Sequence, residues 1–270
     1  MPWILVLVGV SFVGAIAINT AVHWPRARAQ REGNRKTAAR LSVRGLIDET
    51  VATALVLAGP LATWLPNPKP AQPAQPTSRL STGPSATIIL LPEQRLPTSS
   101  AWLLTRRLRK LGWQVTVRRP RTVPSDTAST ERLADAILTR TAADESVTLL
   151  AIGASGLIAR QLAANAPRFR RIVTVATPHS GTTCPLLPAA TRPDAPYLRT
   201  VTEMDRSPRA FDAIAIYSGG DAWLEPTEGG YYPGAYNIEI KDIGHLSMLS
   251  SSRVLGLIHE NLEAALPAPD

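Results

Sequence analysis

One cysteine, Cys184, is too few for an internal disulfide or a zinc site, so neither device constrains the compartment. Residues 1–25 contain no Lys, Arg, Asp or Glu. The chain has no Gly-rich phosphate loop, no cluster of metal-ligand residues and no catalytic pair of carboxylates at a recognisable spacing. No cofactor and no metal are therefore expected. No internal repeat is evident, which argues against a solenoid. The 270 residues are 44% hydrophobic, which excludes a wholly disordered or collagen-like chain and suffices for one sizeable domain with extras.

Basic charge is in excess: 29 Lys and Arg against 21 Asp and Glu give a net +8. A basic chain suggests nucleic acid as a partner, but the placement of the charge argues otherwise. Arg26, Arg28, Arg31, Arg35, Lys36, Arg40 and Arg44 face one acid, Glu32, so residues 26–44 hold a net +6. The rest of the chain is close to balanced, and no nucleic-acid partner is expected.

The uncharged run over residues 3–22 is apolar and long enough to span a bilayer as a helix. Only Met1 and Pro2 precede it, whereas a cleaved signal has a basic leading region, so residues 1–25 read as a retained transmembrane anchor. Residues 26–44 are its basic juxtamembrane segment. Residues 45–66 form a second apolar stretch, interrupted by Pro60 and opened by Asp48 and Glu49. They read either as a second, kinked span or as an interfacial helix with Trp64 at headgroup level. The positive-inside rule puts the basic segment in the cytoplasm. One span or two then decides the side of the remaining chain, and both stay open. Residues 67–85 are a Pro-rich linker of polyproline character.

From residue 86 to 270 apolar runs alternate with helical spacing. Strands are predicted at Ala86–Leu91, Trp113–Val117, Ser146–Ile152, Arg171–Ala176, Ala213–Ser218 and Tyr236–Ile240. Helices are predicted at Ser99–Leu111, Thr130–Thr141, Gly156–Ala164 and Val254–Leu266. The alternation implies an α/β, doubly wound, mostly parallel sheet, preceded by one or two N-terminal membrane helices.

Ligands of such sheets sit at the carboxyl ends of the strands. There the sequence reads Gly153-Ala154-Ser155-Gly156-Leu157-Ile158-Ala159-Arg160, then Thr177-Pro178-His179-Ser180-Gly181-Thr182, then Gly219-Gly220-Asp221, then His245-Leu246-Ser247. In this order the chain resembles bacterial lipases and esterases of the α/β-hydrolase family, of the membrane-associated type. The resemblance implies that Asp221 and His245 are the acid and histidine of a triad. It implies that Gly153 stands where the nucleophilic serine belongs, with Ile152 replacing the preceding histidine. Ser155 lies two residues further on, in the first helical turn, and is the displaced nucleophile under an alternative reading.

The family's oxyanion donors correspond to the N–H of Ala154 and to those of Glu93 and Gln94, because Pro92 has none. A carboxylate of Glu93 near an oxyanion would be repulsive unless it points outward. His179 is read as structural, His23 as interfacial, and His259 as exposed on the last helix. Arg106, Arg107, Arg109 and Lys110 are read as a solvated helix face.

Asp221 with His245 reads either as a structural hydrogen bond tying two loops or as a base toward water or Ser155. The leading expectation is a membrane-anchored, lipase/esterase-like pseudoenzyme that binds or scaffolds. Membrane lipid and a protein at the membrane are its expected partners, and the bacterial inner membrane its expected location. The alternative is an active carboxylic ester hydrolase acting on a lipid or other apolar ester.

Overall fold

A computed structural model describes Gly14, Ala17 and residues 41–62, 87–94, 96, 100–120, 127–139, 141, 146–204 and 209–264. Apart from Gly14 and Ala17, the expected anchor over 1–25 lies outside the described residues. So do the basic segment up to residue 40 and the linker over 67–85.

Among the described residues six strands form one sheet in the order β2-β1-β3-β4-β5-β6. They are β1 (Thr87–Leu91), β2 (Val115–Val117), β3 (Val147–Ile152), β4 (Phe169–Val175), β5 (Asp212–Ser218) and β6 (Tyr236–Ile240). Every adjacent pair is parallel. The helices are α1 (Val43–Ala62), α2 (Ser100–Lys110), α3 (Thr127–Leu138), α4 (Ser155–Asn165), α5 (Pro196–Met204), α6 (Ser247–Ser250) and α7 (Ser252–Glu263).

The central strands are apolar over most of their length because both faces are covered. Successive side chains feed opposite layers. Leu150, Ile152, Val173, Val175, Ile214 and Ile216 pack with Leu104 and Leu108 of α2, Val254 and Ile258 of α7, and Ala52 and Val56 of α1. Leu149, Ala151, Ile172 and Ala215 pack on the other side with Ile137 of α3 and Ile158 and Leu162 of α4.

Helix α5 was not expected from the sequence. Pro196 opens it, where a missing N–H costs nothing, and Leu198 and Val201 bury its inner face. Helix α7 begins two residues earlier than expected, because the Ser251 hydroxyl caps it by accepting from the Val254 N–H at 3.3 Å.

The stretch expected as a second span or an interfacial helix packs one side of its first half on protein. Helix α1 docks on the α/β domain through Glu49, Ala52, Thr53 and Val56, all buried. Ser42 caps it, its hydroxyl accepting from the Gly45 N–H at 3.1 Å, and its own N–H and Oγ donate to the Asp242 carboxylate at 2.5 and 2.6 Å. A helix pinned this way leaves too few residues to cross a bilayer. No helix among the described residues is long and apolar enough to do so.

Candidate functional site

The carboxyl ends of β1, β3, β5 and β6 converge on His245. Asp221 follows β5 and is fixed by its own turn, Oδ1 accepting from the Trp223 N–H at 2.8 Å and from Leu224 N–H at 3.3 Å. Its Oδ2 lies 2.8 Å from His245 Nδ1, and both side chains are buried. The Trp223 ring stacks on the imidazole, centroids 4.3 Å apart and planes 7° apart. Thr182 ties this loop to the one after β4: its hydroxyl donates to the Trp223 carbonyl at 2.7 Å and accepts from the Glu225 N–H at 3.0 Å. The expected Asp221–His245 pair is thus brought together, while His245 Nε2 is buried with no hydrogen-bond partner among the described residues.

At the tip of β3 stands Gly153, with φ +58°. This is the left-handed conformation that a sharp strand-to-helix turn imposes, and glycine takes it without strain. A Cβ added there would overlap the Glu93 carboxyl group, whose Cδ would lie 2.8 Å away. Glu93 Oε2 accepts from the Ala154 N–H at 2.7 Å, at the start of α4. The backbone N–H groups and dipole of a helix start favour an anion there. Of the two orientations the sequence left open for Glu93, its side chain takes the inward one, 1% exposed, onto the donor that Ala154 was expected to offer an oxyanion.

Ser155 is also placed differently from the displaced-nucleophile expectation. Its hydroxyl donates to the Pro92 carbonyl at 2.6 Å, fully buried, not to His245. Gln94 holds its Nε2 buried without a hydrogen-bond partner among the described residues. The loop carrying Pro92, Glu93 and Gln94 is braced by Arg119, which donates to the Glu93 carbonyl at 3.0 Å, the Gln94 carbonyl at 3.3 Å and the Leu96 carbonyl.

A residue outside the α/β domain reaches the histidine loop. Glu49 of α1 accepts from the N–H groups of Leu246 at 2.9 Å and Ser247 at 2.8 Å, the free donors at the start of α6. Gly244 leaves it room, since a Cβ there would lie 2.8 Å from Glu49 Cγ. Burial pushes the Glu49 carboxyl above its ordinary range, against the pull of those two backbone donors and the His245 charge. Burial works against a cation at His245 too. There the Asp221 charge and hydrogen bond, with the charges of Glu93 and Glu49, outweigh it, and the imidazole titrates above its ordinary value.

His179 lies beside the site and is structural in its contacts. Its Nε2 is 2.9 Å from Thr174 Oγ1, its ring stacks on Tyr232, and its carbonyl accepts from Arg160 at 3.0 Å. Burial, then the Arg160 and Arg209 charges, hold it well below the ordinary histidine value. His259, expected to be exposed, is partly covered, and its Nδ1 accepts from Trp113 Nε1 at 3.0 Å. The expected solvated face of α2 is partly structural: Arg107 donates to the Ser250 carbonyl and Arg109 to that of Val115. Glu49, Trp223, Thr182 and Arg119 were missed by sequence reasoning. Glu49 left a signal as an acid at the edge of an apolar stretch, and Thr182 as the last residue of the strand-end motif after β4.

Sheet order, strand-tip turn and the Asp221–His245 pair together define an α/β-hydrolase fold. Lipase B of Aspergillus fumigatus superposes with a TM-score of 0.53 at 15% identity, covering 69% of this chain and 54% of the lipase. The chain thus spans about half the length of that lipase. The esterase domain of a Rhodothermus marinus protein aligns with a TM-score of 0.45 at 14% identity, covering 68% of this chain and 87% of that one. No family model and no curated protein matches.

Proposed function

We propose that this chain is a membrane-anchored, lipase/esterase-like protein whose hydrolase site has lost serine chemistry and which binds or scaffolds at a bacterial inner membrane. The observation that carries this reading is the Glu93 carboxylate seated on the Ala154 N–H over Gly153. The strand tip offers no hydroxyl to attack a carbonyl. The N–H that would stabilise a tetrahedral oxyanion already holds a carboxylate, which would repel one. His245 and Asp221 then act as a buried tie between the β5 and β6 loops. Membrane attachment is supported by the uncharged run at 3–22 and the basic residues beside it.

A fluorophosphonate probe tests the reading on the full chain. No covalent labelling is expected from the natural sequence. Gly153→Ser alone is expected to stay unlabelled, because its side chain meets Glu93. Gly153→Ser with Glu93→Gly is expected to gain labelling that His245→Ala removes. Labelling of the natural chain that Ser155→Ala abolishes would overturn the proposal in favour of an active serine esterase.

A further inference from the structure

The two faces of α1 do different things. One face carries Glu49, Ala52, Thr53 and Val56 into the α/β domain. At 100° per residue, Val43, Ile47 and Val51 lie on the opposite face, with Leu46 at its edge. These side chains are apolar and open to solvent: Val43 is 77%, Ile47 58% and Val51 46% exposed. Isolated exposed apolar residues are ordinary, but a stripe at helical spacing is a contact face. Arg44 and Asp48, both exposed and one turn apart, flank it on the same side.

The charge around this stripe indicates its occupant. The helix continues directly from the segment whose seven basic side chains and single acid give a net +6, and that segment follows the uncharged run at 3–22. An apolar stripe joined to a dense cationic segment complements a surface that is apolar within and anionic at its rim.

We propose that the outward face of α1 lies on an anionic lipid bilayer, so that the α/β domain is seated on the membrane surface through this helix. The inference rests on the membrane-anchored reading above. It adds that the domain does not merely trail from the anchor. The seated helix is the one whose inner face holds the His245 loop through Glu49.

The test uses the full chain in vesicles of phosphatidylethanolamine and phosphatidylglycerol, with a nitroxide at Ile47→Cys or at Glu203→Cys on the exposed side of α5. Cys184 is buried, and a chain without the added cysteine sets the labelling background. Collisions with oxygen relative to a water-soluble nickel chelate are expected to be several-fold higher at residue 47 than at 203. Val51→Asp is expected to bring residue 47 toward the value at 203 while the chain still floats with the vesicles. Phosphatidylcholine in place of phosphatidylglycerol is expected to lower the ratio at 47, and no change would overturn the anionic requirement. Equal ratios at 47 and 203 in a floating chain would overturn the seating and leave the anchor standing. Shielding of residue 47 from both reagents would mean that protein covers the face, and would also overturn it. A chain that does not float would overturn both readings.

Discussion

Gly153 has φ +58°, and the Glu93 carboxylate fills the space where a side chain would begin. Gly153→Ala therefore meets two costs, the left-handed backbone and the overlap, together roughly 2–4 kcal/mol. Adding Glu93→Ala should remove the overlap and leave the backbone cost, about 1–2 kcal/mol. A double-mutant cycle by denaturant unfolding measures the difference, and strict additivity would sink the account.

The two buried histidines offer a second test. His245 should hold its proton above pH ~6.5 and His179 should stay neutral below it, read by NMR of labelled imidazoles. The signs for stability are opposite. The His245 contribution is full below about pH 6.5 and is lost as pH rises through its raised folded value. The His179 contribution is present above about pH 6.5 and is lost as pH falls toward its lowered one. His245→Gln should flatten the alkaline limb of the melting profile, and His179→Gln the acid limb.

Helix α6 has four residues and cannot hold itself; its first N–H groups depend on a carboxylate from α1. Glu49→Ala should cost about 1–3 kcal/mol in a thermal or denaturant melt, because two donors lose their partner in the interior. Amide exchange should quicken at Leu246 and Ser247 and stay unchanged in β3. The elements themselves were largely legible. The β3 run could be placed within a residue, since buried parallel strands announce themselves by continuous hydrophobicity. The Asp221–His245 pair was readable from motif order. The inward turn of Glu93 was not, because nothing in Pro92-Glu93-Gln94 reports that a helix start awaits the carboxylate. The docking of α1 was hidden too, because its partners are about 200 residues away and a local apolar pattern cannot tell lipid from protein.

Among the described residues, two hydrophobic layers share one sheet, and neighbouring residues of a single strand serve different layers. Leu149→Ala and Leu150→Ala should each cost about 2–5 kcal/mol while opening cavities on opposite sides. Both variants should still unfold in one transition, followed by circular dichroism and by tryptophan fluorescence. Separate transitions would mean that the layers are independent. In sequence, most of the chain's basic excess lies ahead of the α/β domain, at residues 26–44.

The contacts between α1 and the histidine loop also set an order of assembly. Ser42 pairs with Asp242 and Glu49 with Ser247, separations of 200 and 198 residues. A chain made from its N-terminus completes α1 long before its docking site exists. Through most of synthesis this helix has no protein surface for either face. Closing it onto the loop spans nearly the whole domain, so it belongs among the late, high-contact-order steps of folding. The clasp on His245 therefore forms only once residues as late as Ser247 have been added, with α7 still to join the core.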